Sequence, residues 1–316
     1  MITSEFMSRG QAVSYYNALG QRFGLNSKAF QKEALELLPS FLCSQLLRGE
    51  RPSASTSMAE IFTGNPDGEV RELREIGAQL CVYELRRNVL EGFDLATAYE
   101  VTYSEKRERL LHRCLAELTI DDPHGFQLIA DFTSMISWLK RRKKTDTEVT
   151  FSSTSFHEFP YCTFLTDLSL FCIPPRIFFK SPSMYALQEN LYHEALHQQL
   201  CTIIQFDAVL PHRTSLSRLP RIWIPWRAET WDLEHVLHAG YVYAHLLEMR
   251  LRARRGRSPQ DLLPEVFDQA IVEGLKASQV LSTGLARHRS SLGPVGQEIV
   301  ERLCEMVSDI ESGLSK

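Results

Sequence analysis

Two histidines four residues apart, His193 and His197 in the run Leu191-Tyr-His-Glu-Ala-Leu-His-Gln-Gln-Leu200, constrain this chain more than any other feature. On an α-helix, positions four apart lie on one face a turn apart, so the two imidazoles can converge on a single divalent ion. Glu194 is rotated by about 100° to the neighbouring flank. The HExxH spacing therefore demands a helix and points to a catalytic metal centre. The bland alternative is two unrelated histidines with a glutamate on the surface.

Histidine is concentrated around this motif: six of the ten fall between positions 193 and 245. His235, His238, Val242 and His245 form one stripe on a second expected helix, which makes one of its three histidines the natural third ligand. His238 is central on the stripe, beside a small Ala239-Gly240 pair that lets its helix approach a neighbour closely. His235 and His245 are the alternatives, and otherwise read as hydrogen-bonded core or rim side chains.

HExxH first suggests a zinc peptidase, with Glu194 as general base toward a metal-bound water. The extended HExxHxxGxxH form is excluded, because Leu200 and Ile203 stand where its glycine and third histidine belong. A glutamate as third zinc ligand leaves Glu229 or Glu234 as candidates.

Helical periodicity dominates the flanks of the motif. From Gln11 to about Lys144 apolar residues recur at helical spacing, as at Leu35, Leu38, Phe41, Leu42 and Leu46 within Phe30 to Leu47. Further helices are expected from about Glu69 to Leu90, Asp94 to Leu118 and Gly125 to Lys143. The texture changes at Thr145. Glu148 to Ser152, Tyr161 to Leu165 and Arg176 to Lys180 are short, rich in β-branched and aromatic residues, and read as three strands. Ser183 is placed to cap a helix running from Met184 to about Phe206. A loop punctuated by Pro211, Pro220 and Pro225 follows, then a helix from about Thr230 to Arg254. Gln260 to Leu281 and Pro294 to Leu314 complete the chain as packed helices. The expected fold is mainly helical α+β, a helical bundle with a small sheet packed by the HExxH helix. Its expected regions are residues 1–144 (helical), 145–255 (metal-binding core) and 256–316 (C-terminal helices).

Taken together, Leu191 to Leu200, Ile224-Pro-Trp-Arg-Ala-Glu229 and Val236-Leu-His-Ala-Gly-Tyr-Val-Tyr-Ala244 resemble the HExxH-containing peptide-modification proteins of bacterial ribosomal natural-product biosynthesis. The resemblance covers roughly residues 145 to 255 and lies in the order of its parts: strands, HExxH helix, loop, Pro-Trp-Arg turn, then a helix with Leu-His and small residues. It implies an iron(II)- and 2-oxoglutarate-dependent dioxygenase that uses O2 to hydroxylate a side-chain β-carbon of a precursor peptide. It also implies His193, His197 and His238 as iron ligands and Arg227 as partner of the distal carboxylate of 2-oxoglutarate. A guanidinium fork matches a carboxylate, and Arg221 and Arg250 compete for that role. The chain departs from the family pattern in having Ala239 between His238 and Gly240 rather than glycine directly after the histidine, and in carrying Ala228 to Asp232 where many relatives have a proline-containing stretch. With iron, Glu194 need not be a base and instead orients a ligand or helps to bind substrate.

Trp223, Trp226 and Trp231 cluster about Arg227, either lining a peptide groove or packing in a core. A net charge of -4 gives no global footprint for nucleic acid or an anionic membrane. Seven cysteines without CxxC spacing, an N-terminus lacking a signal-peptide pattern and the absence of any long uncharged apolar stretch point to a cytoplasmic protein with no membrane span. No phosphate loop or dinucleotide fingerprint is present.

Overall fold

The computed structural model describes residues 70–76, 80–85 and 98–314, apart from 103, 134, 143–150, 157–158, 175–176, 207–208, 211–219 and 257–258. The helix expected over Phe30 to Leu47 lies outside the described residues. The fold is mainly helical α+β. The described residues divide into two compact units, one holding those up to Cys172 with Phe178–Gln198, the other Ile173–Ile177 with those from Gln199 onward.

The first unit is built on a mixed six-stranded sheet. β1 (Val70–Ile76) and β2 (Leu80–Leu85) pair antiparallel. β4 (Met135–Arg141) runs parallel to β2 on one side and to β6 (Phe159–Thr166) on the other, while β5 (Ser153–Phe156) closes the far edge antiparallel to β6. β3 (Tyr99–Val101) pairs with the later half of β4. Between β3 and β4 lie two helices. α1 (Glu105–Asp121) is capped by the Ser104 hydroxyl, which accepts from the Arg107 N–H. It buries Leu111, Cys114, Leu115 and Leu118, a stripe at spacings of three and four. α2 (Pro123–Phe132) begins with proline at its first turn and Asp122 as cap.

The helical expectation for the early chain is corrected here. Glu69 to Leu90 holds β1 and β2, and the helix expected to run from Gly125 to Lys143 stops at Phe132, after which β4 enters the sheet. The segment from Asp94 to Leu118 likewise divides into β3 and α1. Val70, Leu73 and Ile76 fall at helical spacing, but pairing with β2 overrides that local pattern. In β4, Ile136, Ser137, Trp138 and Leu139 are all buried, and a strand covered on both faces has no alternation to betray it. Since β4 and β6 are hydrogen-bonded neighbours, the sheet is continuous across Thr145. Most of the strand expected over Glu148 to Ser152 lies outside the described residues, and β5 begins at Ser153. Tyr161 to Leu165 lies within β6.

The short strands β7 (Cys172–Ile173) and β8 (Ile177–Phe178) lead to α3 (Met184–Phe206), the HExxH helix. The Ser183 hydroxyl caps it as expected, accepting from the Ala186 N–H at 3.1 Å. In the second unit, β9 (Arg221–Ile224) and β10 (Glu229–Asp232) form a hairpin where a plain loop was expected. Helix α4 (Leu233–Arg255) follows, with α5 (Pro264–Arg287) and α6 (Pro294–Leu314) packed around it. Gly240 permits the close approach foreseen for this helix: a Cβ there would lie 2.8 Å from Leu285 Cδ1 on α5. Arg250 of α4 is fully buried, its guanidinium donating to the carbonyls of Ala270 and Pro174. No helix among the described residues is long and apolar enough to cross a membrane.

Candidate metal centre

Helix α3 brings His193, Glu194 and His197 together. The Nε2 atoms of the two histidines are 3.1 Å apart, with the rings edge to face at a centroid distance of 4.8 Å. At a metal–imidazole distance of about 2.0–2.1 Å, two nitrogens on one ion stand roughly 2.9 Å apart at a right angle and roughly 3.4 Å apart at a tetrahedral angle. The observed separation falls between these values, so the pair fits two adjacent positions of a divalent ion. The two ring nitrogens are also within hydrogen-bonding distance of each other. The His193 side chain keeps 19% of its surface exposed, which leaves the pair reachable.

Glu194 is not a surface residue: its side chain is 2% exposed and turned into the sheet. Ser153 Oγ donates to Oε1 at 2.6 Å and Ser155 Oγ to Oε2 at 2.7 Å. Two residues apart on β5, these serines present their hydroxyls on one face. Burial pushes the Glu194 carboxyl up to about 7, while the two serine hydrogen bonds pull it the other way and offset only part of the rise. Oε1 lies 4.0 Å from His193 Nε2.

Asn190, one helical turn before Glu194, completes the cluster. Its Nδ2 donates among the carbonyls of Ala186, Cys172 and Ser169 at 2.8, 2.8 and 3.2 Å, which fixes the orientation of the amide. Oδ1 consequently faces Ser153 Oγ at 3.0 Å. Ser153 has one hydroxyl proton between two acceptors. The Ser153 hydroxyl therefore stands between Glu194 Oε1 and Asn190 Oδ1 and ties the two side chains together. Ser153, Ser155 and Asn190 were not singled out in the sequence; the signal was a Ser-x-Ser alternation at the start of a strand, but nothing local says which helix that face meets.

The remaining expected site residues belong to the other unit. His238 is half-buried on α4. His235 stands at the surface, its Nδ1 donating at 2.7 Å to Asp232, the residue that caps the helix. Burial acts to raise the Asp232 carboxyl, but the His235 backbone and ring together with Arg221 outweigh it and hold it below its ordinary value. His245 is buried, and its Nδ1 donates to the Tyr241 carbonyl at 2.7 Å. The stripe thus runs from solvent at His235 into the core at His245. Arg227 lies in the turn between β9 and β10, over the Trp231 ring at 5.8 Å. Arg221 is engaged across the hairpin with Thr230, and the burial of Arg250 against two backbone carbonyls makes it a structural group. Trp223 is 55% exposed and Trp231 half-buried, so the tryptophans of this hairpin are not a closed core. Among the described residues, no group of three or more His, Cys, Asp or Glu side chains stands ready to hold a metal ion.

In comparisons with known proteins, no family model matches the chain and no curated protein matches it.

Proposed function

We propose that the protein is a cytoplasmic iron(II)- and 2-oxoglutarate-dependent dioxygenase that hydroxylates a side-chain carbon of a ribosomally made precursor peptide. The observation that carries this reading is the convergence of His193 and His197 Nε2 at 3.1 Å on one helix. His238 is the proposed third ligand and Arg227 the proposed anchor for the far carboxylate of 2-oxoglutarate. Iron(II) with 2-oxoglutarate and O2, when bound, supplies the oxidising power to place oxygen on an unactivated carbon. The chain's own part is to offer neutral imidazoles, to keep further coordination positions open and to orient the peptide. The engagement of both Glu194 oxygens by serine hydroxyls supports this reading over hydrolysis, because a general base must present an oxygen to water.

A zinc-dependent peptidase is the second reading. One observation favours it: a Glu194 carboxyl at about 7 is matched to proton exchange near neutral pH. Anaerobic reconstitution with iron(II) and 2-oxoglutarate separates the two. A dioxygenase develops a weak visible charge-transfer band and, on admission of O2 with peptide, forms succinate and adds one oxygen to the peptide. Cleavage of peptides by the zinc-loaded protein, indifferent to 2-oxoglutarate, overturns the proposal.

A further inference from the structure

We infer that Ser153, Ser155 and Asn190 are positioning residues for the metal centre, which tether the Glu194 carboxylate to β5 and so keep it out of the coordination positions beside His193 and His197. The inference rests on the metal reading given above and assigns roles to three residues outside the HExxH motif.

The need for a tether follows from distance and charge. Glu194 Oε1 stands 4.0 Å from His193 Nε2, within the span of a single coordination sphere, and a carboxylate is attracted to a divalent cation far more strongly than a hydroxyl or amide is. A carboxylate free to turn would compete for a position that an oxygenase must leave to its co-substrates. The structure opposes that turn at both oxygens, with short hydrogen bonds of 2.6 and 2.7 Å from Ser153 and Ser155.

Each serine is itself held. Backbone pairing of Ser153 with Leu165 and of Thr154 with Phe164 fixes β5 against β6. Ser153 is gripped a second time by Asn190 Oδ1 at 3.0 Å, and the Asn190 amide is locked in turn by the carbonyls of Ala186, Cys172 and Ser169. The carboxylate is therefore anchored through side chains with little rotational freedom left, the arrangement by which groups outside the ligand set decide what the ligands do.

Cobalt(II) is the probe, because its visible bands report the number and kind of ligands. The full-length protein and its S153A/S155A, S155A and S153T/S155T variants are titrated with cobalt(II) alone under argon. In S153A/S155A the spectrum is expected to change in position and intensity as the carboxylate joins the ion, with cobalt held at least about tenfold more tightly. Adding E194Q to that variant should return the spectrum toward that of the unsubstituted protein, and S153T/S155T should retain it, neither of which a merely structural role produces. An S153A/S155A spectrum and affinity identical to the unsubstituted protein overturn the inference while leaving the metal reading in place. Where S153A/S155A does not fold, S155A decides the same question by the same criterion, with a smaller shift. Failure of the unsubstituted protein to bind cobalt, or binding that H193A does not disturb, overturns the metal reading and the inference with it.

Discussion

The hydroxyl of Ser153 and the carboxylate of Glu194 meet at 2.6 Å across 41 residues of chain, joining the edge strand of the sheet to the HExxH helix. This contact holds the glutamate of a metal-binding motif away from solvent, and the burial that goes with it raises the carboxyl's pKa against the pull of the serine hydrogen bonds. Its consequences are measurable without knowing the substrate.

The first concerns stability against pH. The Glu194 carboxyl lies at about 7 in the folded protein against an ordinary 4.5, so the folded state binds this proton more tightly than the unfolded chain. Stability from this group is fully present below pH 4.5 and is lost as pH rises through 7, by about 3 kcal/mol in all. E194Q removes the titration. In urea denaturation with chelator present, the stability difference between E194Q and the unsubstituted protein should grow in favour of E194Q from pH 5 to 7.5 and then level off. A difference independent of pH over that range contradicts the burial assigned to this carboxyl.

Metal retention after dialysis orders the histidines. H193A and H197A should each lose bound iron(II), and H238A should lose tight retention as well. H245A should keep the metal while costing about 2 kcal/mol of stability, because it leaves the buried Tyr241 carbonyl without its ring donor. H235A removes a surface ring and should leave both properties nearly unchanged. Retention by H238A together with loss by H245A would reassign the third ligand.

Arg250 should behave as a structural clamp. R250M leaves the Ala270 and Pro174 carbonyls without the guanidinium and is expected to destabilise the protein by about 3 kcal/mol or more. R250K should not rescue it, since one ammonium lacks the fork that spans two carbonyls. G274A should cost about 1–3 kcal/mol, because the new Cβ would lie 2.7 Å from Arg250 Nη1 in a packed interior. Denaturation midpoints within experimental error of the unsubstituted protein would refute this role.

Arg227 is tested by co-substrate demand. R227A should raise the 2-oxoglutarate concentration needed for half-maximal succinate formation at least about tenfold with iron still bound. An unchanged requirement assigns the guanidinium to packing over Trp231 alone.

Much of the helical architecture was legible from local signals. The start of α3 at Met184 follows from the Ser183 cap, and α6 spans the Pro294 to Leu314 segment read from periodicity. The early strands were not legible, because Val70, Leu73 and Ile76 mimic a helical face and β4 is a run buried on both sides. The β9–β10 hairpin hid behind Pro220 and Pro225, which read as loop punctuation when only Pro225 lies in the turn.

For the candidate site the division is the same. The spacing of His193 and His197 determined by itself that their rings would meet, since a helix carries position i onto i+4 whatever surrounds it. The fate of Glu194 was decided only by tertiary structure: whether its flank faced water or a wall depended on β5, whose serines are some forty residues earlier in the chain. Helical periodicity is a local property, while burial and the hydrogen bonds that answer it depend on which distant segment packs alongside.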